Sequence, residues 1–159
     1  MEDPIFEQYT ITIKGKEGSY SIVFEPYDHA GKALDEKGRK IYIISSGKEV
    51  FYVGEANTSI RTRLKRGCSA SNHYHNTKES RSGYRGYKWL ATDSILTLNV
   101  VIFHDANVKR NIVEAIEAEI VYLIRHHLKQ WPTFQNEIHF SNVEGALEKA
   151  QFVYNKSIK

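Results

Sequence analysis

Two tyrosines, two arginines and a group of glutamates carry the chemistry this chain could do. Tyr42 and Tyr52 each sit inside a short apolar run. Arg61 and Arg63 follow shortly after, and Glu114, Glu117 and Glu119 stand far downstream. Cleaving a phosphodiester needs an activated oxygen nucleophile, charge stabilisation at phosphorus and help for the leaving group. An arginine clamps a phosphate oxygen with parallel hydrogen bonds. One hard divalent ion on one carboxylate can serve the leaving oxygen. A tyrosine hydroxyl can position or deprotonate water, the second only if nearby cations lower its ordinary pKa of about 10. Each residue also has a plainer role. A strand tyrosine packs, and a glutamate on a helix flank is solvated or pairs with a lysine or arginine.

The elements that must position these groups follow from patterning. Ile41–Ile44 and Val50–Val53 flank Ser45-Ser46-Gly47-Lys48-Glu49 and predict a β-hairpin. Gly54 follows as a structural turn from strand to helix. Asn57 or Thr58 caps a helix to about Arg66, and Gly67 stops it. Gly67–Gly86 is rich in Ser, Asn, His and Gly and predicts a long functional loop. Tyr87–Ala91 is a helical turn docking aromatics on the core. Ile95–His104 is near-continuously apolar, which suits a central strand buried on both faces. Asn107 caps a long helix over Val108–Lys129, with Ile112, Val113, Ile116, Ile120, Leu123 and Ile124 at helical spacing. Glu117 and Glu119 border that apolar stripe. Thr133–Phe140 predicts a short edge strand. Ser141 or Asn142 caps a last helix over Val143–Asn155.

Upstream, Gln8–Lys14 and Ser19–Glu25 alternate apolar and polar residues around Gly15-Lys16-Glu17-Gly18, an N-terminal β-hairpin. Pro26–Gly38 is polar and reads as a loop. The expected class is α+β: a small, mostly antiparallel central sheet flanked by helices, with the hairpin as an extension. Residues 1–38 form that extension and 39–159 the main domain, in one unit.

The 159 residues carry a net charge of +3, unevenly spread. Between Asn57 and Leu90, Arg61, Arg63, Lys65, Arg66, Lys78, Arg81, Arg85 and Lys88 face Glu79 alone, so this stretch is +7 and the remainder −4. Tyr74, Tyr84, Tyr87, Trp89, His73 and His75 are interleaved. Cations mixed with aromatics and Ser/Asn donors mark a phosphate-backbone surface. No apolar run approaches the roughly 20 residues that cross a bilayer. No secretory leader is expected at MEDPIFEQYT. A single cysteine, Cys68, suits a reducing cytoplasm.

Ile41-Tyr42-Ile43 followed by Tyr52-Val53-Gly54 resembles the motif pair of the GIY-YIG nuclease superfamily. Ile60-Arg61-Thr62-Arg63-Leu64 is similar to the segment that holds its catalytic arginine, which makes Arg63 the counterpart and Arg61 its neighbour. The helix around Glu119, with Ala115 and Ile116 before and Tyr122 and Leu123 after, resembles the family's metal-binding position. Glu117 fits less well, because Glu114 falls at one of its apolar places. Asn136 matches an asparagine that commonly follows the helix. The similarity spans about Lys40 to Phe140. The chain departs from the pattern at Lys40, where the first motif has Gly, in a slightly long spacing from Gly54 to Arg63, and at Gly67, where several members carry His. That last departure leaves the base role to Tyr42, His73 or His75.

The resemblance implies a metal-dependent DNA endonuclease of small, restriction-like build. Tyr42 would activate the water and Tyr52 support it, Arg63 would clamp the scissile phosphate, and Glu119 (alternatively Glu117) would hold one Mg²⁺ or Mn²⁺. Asn136 would complete the site. Arg61, Lys65, Arg66, His73, His75, Lys78, Arg81, Arg85 and Lys88 would bind nucleic acid, double-stranded DNA ahead of RNA. Cutting both strands implies a homodimer or two successive visits. The alternative is a nucleic-acid-binding module of the same fold without catalysis.

Overall fold

Bridging the two apolar runs around Tyr42 and Tyr52 takes a tight reversal, and Gly47 supplies it at a φ of +55°, a conformation glycine adopts without steric penalty. The computed structural model describes residues 4–25, 32–81, 84–103, 108–135 and 144–158. In it the runs become β3 (Lys40–Ser46) and β4 (Glu49–Ala56), paired antiparallel. The N-terminal hairpin is β1 (Ile5–Lys14) and β2 (Ser21–Glu25). β5 (Ile95–Ile102) is the middle strand of a five-stranded sheet ordered β2-β1-β5-β3-β4. Every pairing in it is antiparallel. β1 pairs with β5 from Ile5↔Ile102 to Thr12↔Ile95, so the N-terminal hairpin is continuous with the sheet. The architecture is α+β.

The apolar run in β5 has a physical reason: both its faces are covered. Leu96, Leu98 and Val100 pack with Tyr42, Ile44, Ile60, Leu64 and Trp89 on one side. Val101 packs with Ile41, Ile43, Val53, Val113, Ile116 and Ile120 on the other. The first face carries α1 (Lys32–Asp35), α2 (Ile60–Thr77) and a 3-10 segment, Tyr84–Ala91. The second carries α3 (Arg110–Leu128) and α4 (Ala146–Ser157). Among the described residues no helix is long and apolar enough to cross a membrane.

Several expectations change. The stretch Pro26–Gly38 contains the turn of helix α1; residues 26–31 lie outside the described set. α2 does not stop at Gly67 but runs on to Thr77, so most of the expected loop is helix. Gly67 is there for clearance, since a Cβ on it would stand 1.8 Å from Tyr87 Cζ. The α2 cap is Ser59, whose Oγ accepts from Thr62 N at 3.1 Å, rather than Asn57 or Thr58. Residues 133–135 form a turn laid along β4, with Thr133 N donating to Val50 O and Phe134 N to Phe51 O, both at 3.0 Å. The rest of the expected edge strand lies outside the described residues, as do Asn107, Ser141 and Asn142; α3 instead starts from Lys109 and α4 from Gly145, neither with a side-chain cap.

Candidate active site

Tyr42 and Gly54 face each other directly across β3 and β4. Tyr52 precedes Gly54 by two positions and so shares its face. The two phenol rings lie 5.9 Å apart. A Cβ on Gly54 would stand 2.7 Å from Tyr42 Cζ, Tyr42 Oη and Tyr52 Cε1. The glycine therefore lies inside β4, not at a turn, and its missing side chain is the space the phenols occupy.

The Ser59 cap fixes the first turn of α2, which holds Arg63 beside these rings. Tyr42 Oη and Arg63 Nε are both buried, and neither reaches a partner in ordinary hydrogen-bond geometry, although Tyr42 lies close enough to Arg63, Tyr52 and Tyr87 for looser polar contacts. Buried polar atoms are rarely left so, and two together mark a polar centre inside an apolar wall. Burial pushes the Tyr42 phenol well above its ordinary pKa, with Tyr87 adding to the rise, and the Arg63 charge only partly offsets this. Tyr52 is raised in the same way, by burial first and then by Tyr42. The expected lowering of a phenol by nearby cations does not occur. Both tyrosines are neutral hydroxyls at physiological pH. Arg63, whose guanidinium is protonated throughout the ordinary pH range, stays charged.

β4 is one of the two edge strands of the sheet. Glu117 comes from α3 on the opposite face, yet it acts on Tyr42, Tyr52 and Arg63. Burial first, then the charges of Glu55 and Glu114, lift its carboxyl to about 7. Gln135 Nε2 donates to Glu117 Oε1 at 3.4 Å, while Gln135 Oε1 accepts from Val53 N at 3.0 Å. Glu55 pairs with Arg39 at 3.4 Å and with Arg110 at 3.7 Å, and Arg110 also pairs with Glu114 at 2.8 Å. Glu117 makes no ion pair among the described residues.

Glu119 does not join this group. Two residues along a helix turn the side chain through about 200°, onto the other flank. Of the two carboxylates, Glu117 is the one whose charge acts on the tyrosines and Arg63. The resemblance disfavoured Glu117 because Glu114 precedes it by three; in the structure Glu114 pairs with Arg110 at 2.8 Å. Asn136 lies outside the described residues.

Could these residues hold a metal? No cluster of three His, Cys, Asp or Glu able to cage an ion occurs among the described residues. The donor is one oxygen ligand, Glu117, strained by burial and by negative neighbours that a dication would relieve. That suits a hard ion keeping most of its water, such as Mg²⁺ or Mn²⁺, better than a thiolate or imidazole metal.

The expected nucleic-acid residues divide. Lys65 and Arg66 are exposed on α2, Lys78 and Arg81 lie at and beyond its end, and Lys88 is exposed on the 3-10 segment. Arg61 is instead bound to Asp35, at 2.8 and 3.3 Å, and its guanidinium lies 5.1 Å from the Phe24 ring centroid. His75 contacts Glu17 at 2.6 Å, and His73 lies 3.9 Å from Glu79. At about 1.5 Å of rise per residue, both histidines sit some 15 Å or more along α2 from Arg63, too far to act as its base. The Arg85 side chain is outside the described set.

Three contributors escaped the sequence reading. Gln135 stands next to the expected Asn136 and carries no signal of its own. Tyr87 was visible as a packing aromatic and as one of the aromatics interleaved with cations, not as a partner of Arg63. Lys40, at the missing-glycine position, is fully buried and donates from Nζ to Glu36 O, Gly38 O and Thr58 O at 2.7, 3.0 and 3.3 Å. It ties the entry to β3 to the start of α2. No family model, curated protein or solved structure matches the chain.

Proposed function

We propose that the chain is a metal-dependent DNA endonuclease of the GIY-YIG kind, acting in the cytoplasm in restriction or in phage or other DNA processing. The observation that carries this reading is the gathering of Tyr42, Tyr52 and Arg63 beside β4, with Tyr42 Oη and Arg63 Nε buried next to one another and the Glu117 charge acting on all three. A binding module has no need of a half-buried carboxylate beside an arginine and two phenols. Neutral Tyr42 would hold the attacking water by hydrogen bonds rather than deprotonate it, because burial keeps its proton on. Tyr52 would bind a phosphate oxygen or orient Tyr42. Permanently charged Arg63 would take the charge that develops at phosphorus. Glu117 would hold a single Mg²⁺ or Mn²⁺, which supplies charge stabilisation at the leaving oxygen. Lys65, Arg66 and Lys88 would meet duplex phosphates and draw the DNA toward the site. A homodimer would let two such sites cut both strands.

The test is incubation of the purified protein with supercoiled plasmid, with and without Mg²⁺ or Mn²⁺, beside Arg63→Ala. Cleavage by the wild type only with metal, and none by the variant, is expected. No cleavage of varied DNA under any metal condition would remove the enzyme reading. Salt-sensitive gel shifts in that case would leave the binding module.

A further inference from the structure

We propose that Tyr87 is the third phenol of this site, a positioning residue that holds Arg63 in place; the inference rests on the nuclease reading of the site. Tyr87 comes from the 3-10 segment, 24 residues beyond Arg63, and is 3% exposed. Its Oη donates to the Arg63 carbonyl at 3.0 Å. A carbonyl in the first turns of an α-helix already accepts from the N–H four residues on. Tyr87 therefore adds a second bond at the one residue whose guanidinium faces Tyr42.

The ring is fixed as tightly as the hydroxyl. It lies on Gly67, one turn after Arg63, where a Cβ would stand 1.8, 2.0 and 2.3 Å from Tyr87 Cζ, Cε2 and Cε1. Trp89, fully buried, packs behind it at 5.4 Å between ring centroids. The segment departs from helical geometry at Tyr87 itself, with φ −114° and ψ 18°. α2 thus gives up a side chain at 67, and the connecting segment kinks, at the place where this phenol enters. Tyr87 acts in turn on Tyr42 and on Arg63. Burial raises the Tyr87 phenol to about 12, so it remains a donor throughout the neutral range.

Packing alone does not call for the hydroxyl. A phenylalanine would fill the same space over Gly67 and against Trp89. What the oxygen adds is a fixed distance between the core segment and the backbone of Arg63. Reacting groups must be held within a fraction of an ångström, and a misplacement near 1 Å can cost about a hundredfold in rate.

The test is Tyr87→Phe in the full chain, which keeps the ring. We expect a folded protein whose plasmid-cleavage kcat falls roughly 10- to 100-fold, with duplex DNA affinity within about twofold of wild type. The ¹⁵N–Hε signal of Arg63, assigned with Arg63→Lys, should move. A kcat equal to wild type in a protein whose Arg63→Ala variant is inactive would overturn the inference. So would an Arg63 signal that stays in place, or a Tyr87→Phe chain that fails to fold, which would make the hydroxyl a folding element. If the wild type itself does not cut, the nuclease reading fails, and the Arg63 signal alone decides whether Tyr87 positions the guanidinium.

Discussion

Replacing Glu117 by Gln should make the protein more stable at pH 8 while removing its proposed activity. Burial, with Glu55 and Glu114 behind it, carries the Glu117 carboxyl from an ordinary 4.5 to about 7. Below the lower value both the folded and unfolded chains hold the proton, and the group contributes no difference. Between the two values the unfolded chain has released a proton that the folded chain keeps, so stability falls as pH rises. Above about 7 the whole penalty is in place. At roughly 1.4 kcal/mol per pH unit the ceiling is about 3 kcal/mol. Water penetration and relaxation reduce it. For a chain of 159 residues, about 2–4 °C of Tm per kcal/mol leads to a gain on the order of 5 °C. Gln keeps the acceptor that Gln135 uses, so packing is preserved. The assay is thermal unfolding of wild type and Glu117→Gln at pH 5 and pH 8. The difference should open between these values, and added Mn²⁺ should stabilise only the wild type. Equal gaps at both pH values would refute the burial argument for Glu117.

Gly54→Ala should push both phenols, since the new Cβ meets three of their atoms at 2.7 Å; urea unfolding should show a loss of about 1–3 kcal/mol and cleavage should fall with it. Lys40→Met removes a buried ammonium shared by three backbone carbonyls, and should lower urea-unfolding stability by about 2–3 kcal/mol. A Lys65→Ala/Arg66→Ala chain should bind duplex DNA with a salt dependence shallower by roughly one per lost phosphate contact. Arg61→Ala, whose guanidinium is occupied by Asp35, should leave that slope much nearer to wild type in the same gel-shift titration.

Alternation and apolar density made the two hairpins, the central strand β5 and the helix α3 legible, because each buries a long, bulky face. α2 was misread for the converse reason. Its buried face beyond Leu64 is Gly67, Cys68, Ala70 and Ser71, small residues that leave room for Tyr87 and Trp89. A count of large apolar side chains passes over such a face and reads a loop. The tyrosines could be paired with an arginine of the next helix because they lie on adjacent elements, and the family resemblance chose Arg63 over Arg61. The choice between Glu117 and Glu119 could not be made from the sequence. It depends on which flank of α3 turns toward the edge strand, and that is decided by packing across the sheet. Gln135 was invisible for a similar reason: its role arises from lying along the free edge of β4. The part of Lys40 as a tether came from burial, which reverses what a surface lysine usually signals.

Plasmid cleavage by wild type, Glu117→Gln and Glu119→Gln across an Mn²⁺ titration tests the account at its centre. Metal-dependent cutting by wild type and Glu119→Gln, with Glu117→Gln binding the DNA but leaving it intact, is the predicted result. Cleavage by Glu117→Gln at the wild-type rate, or its loss in Glu119→Gln alone, would contradict the site at β4.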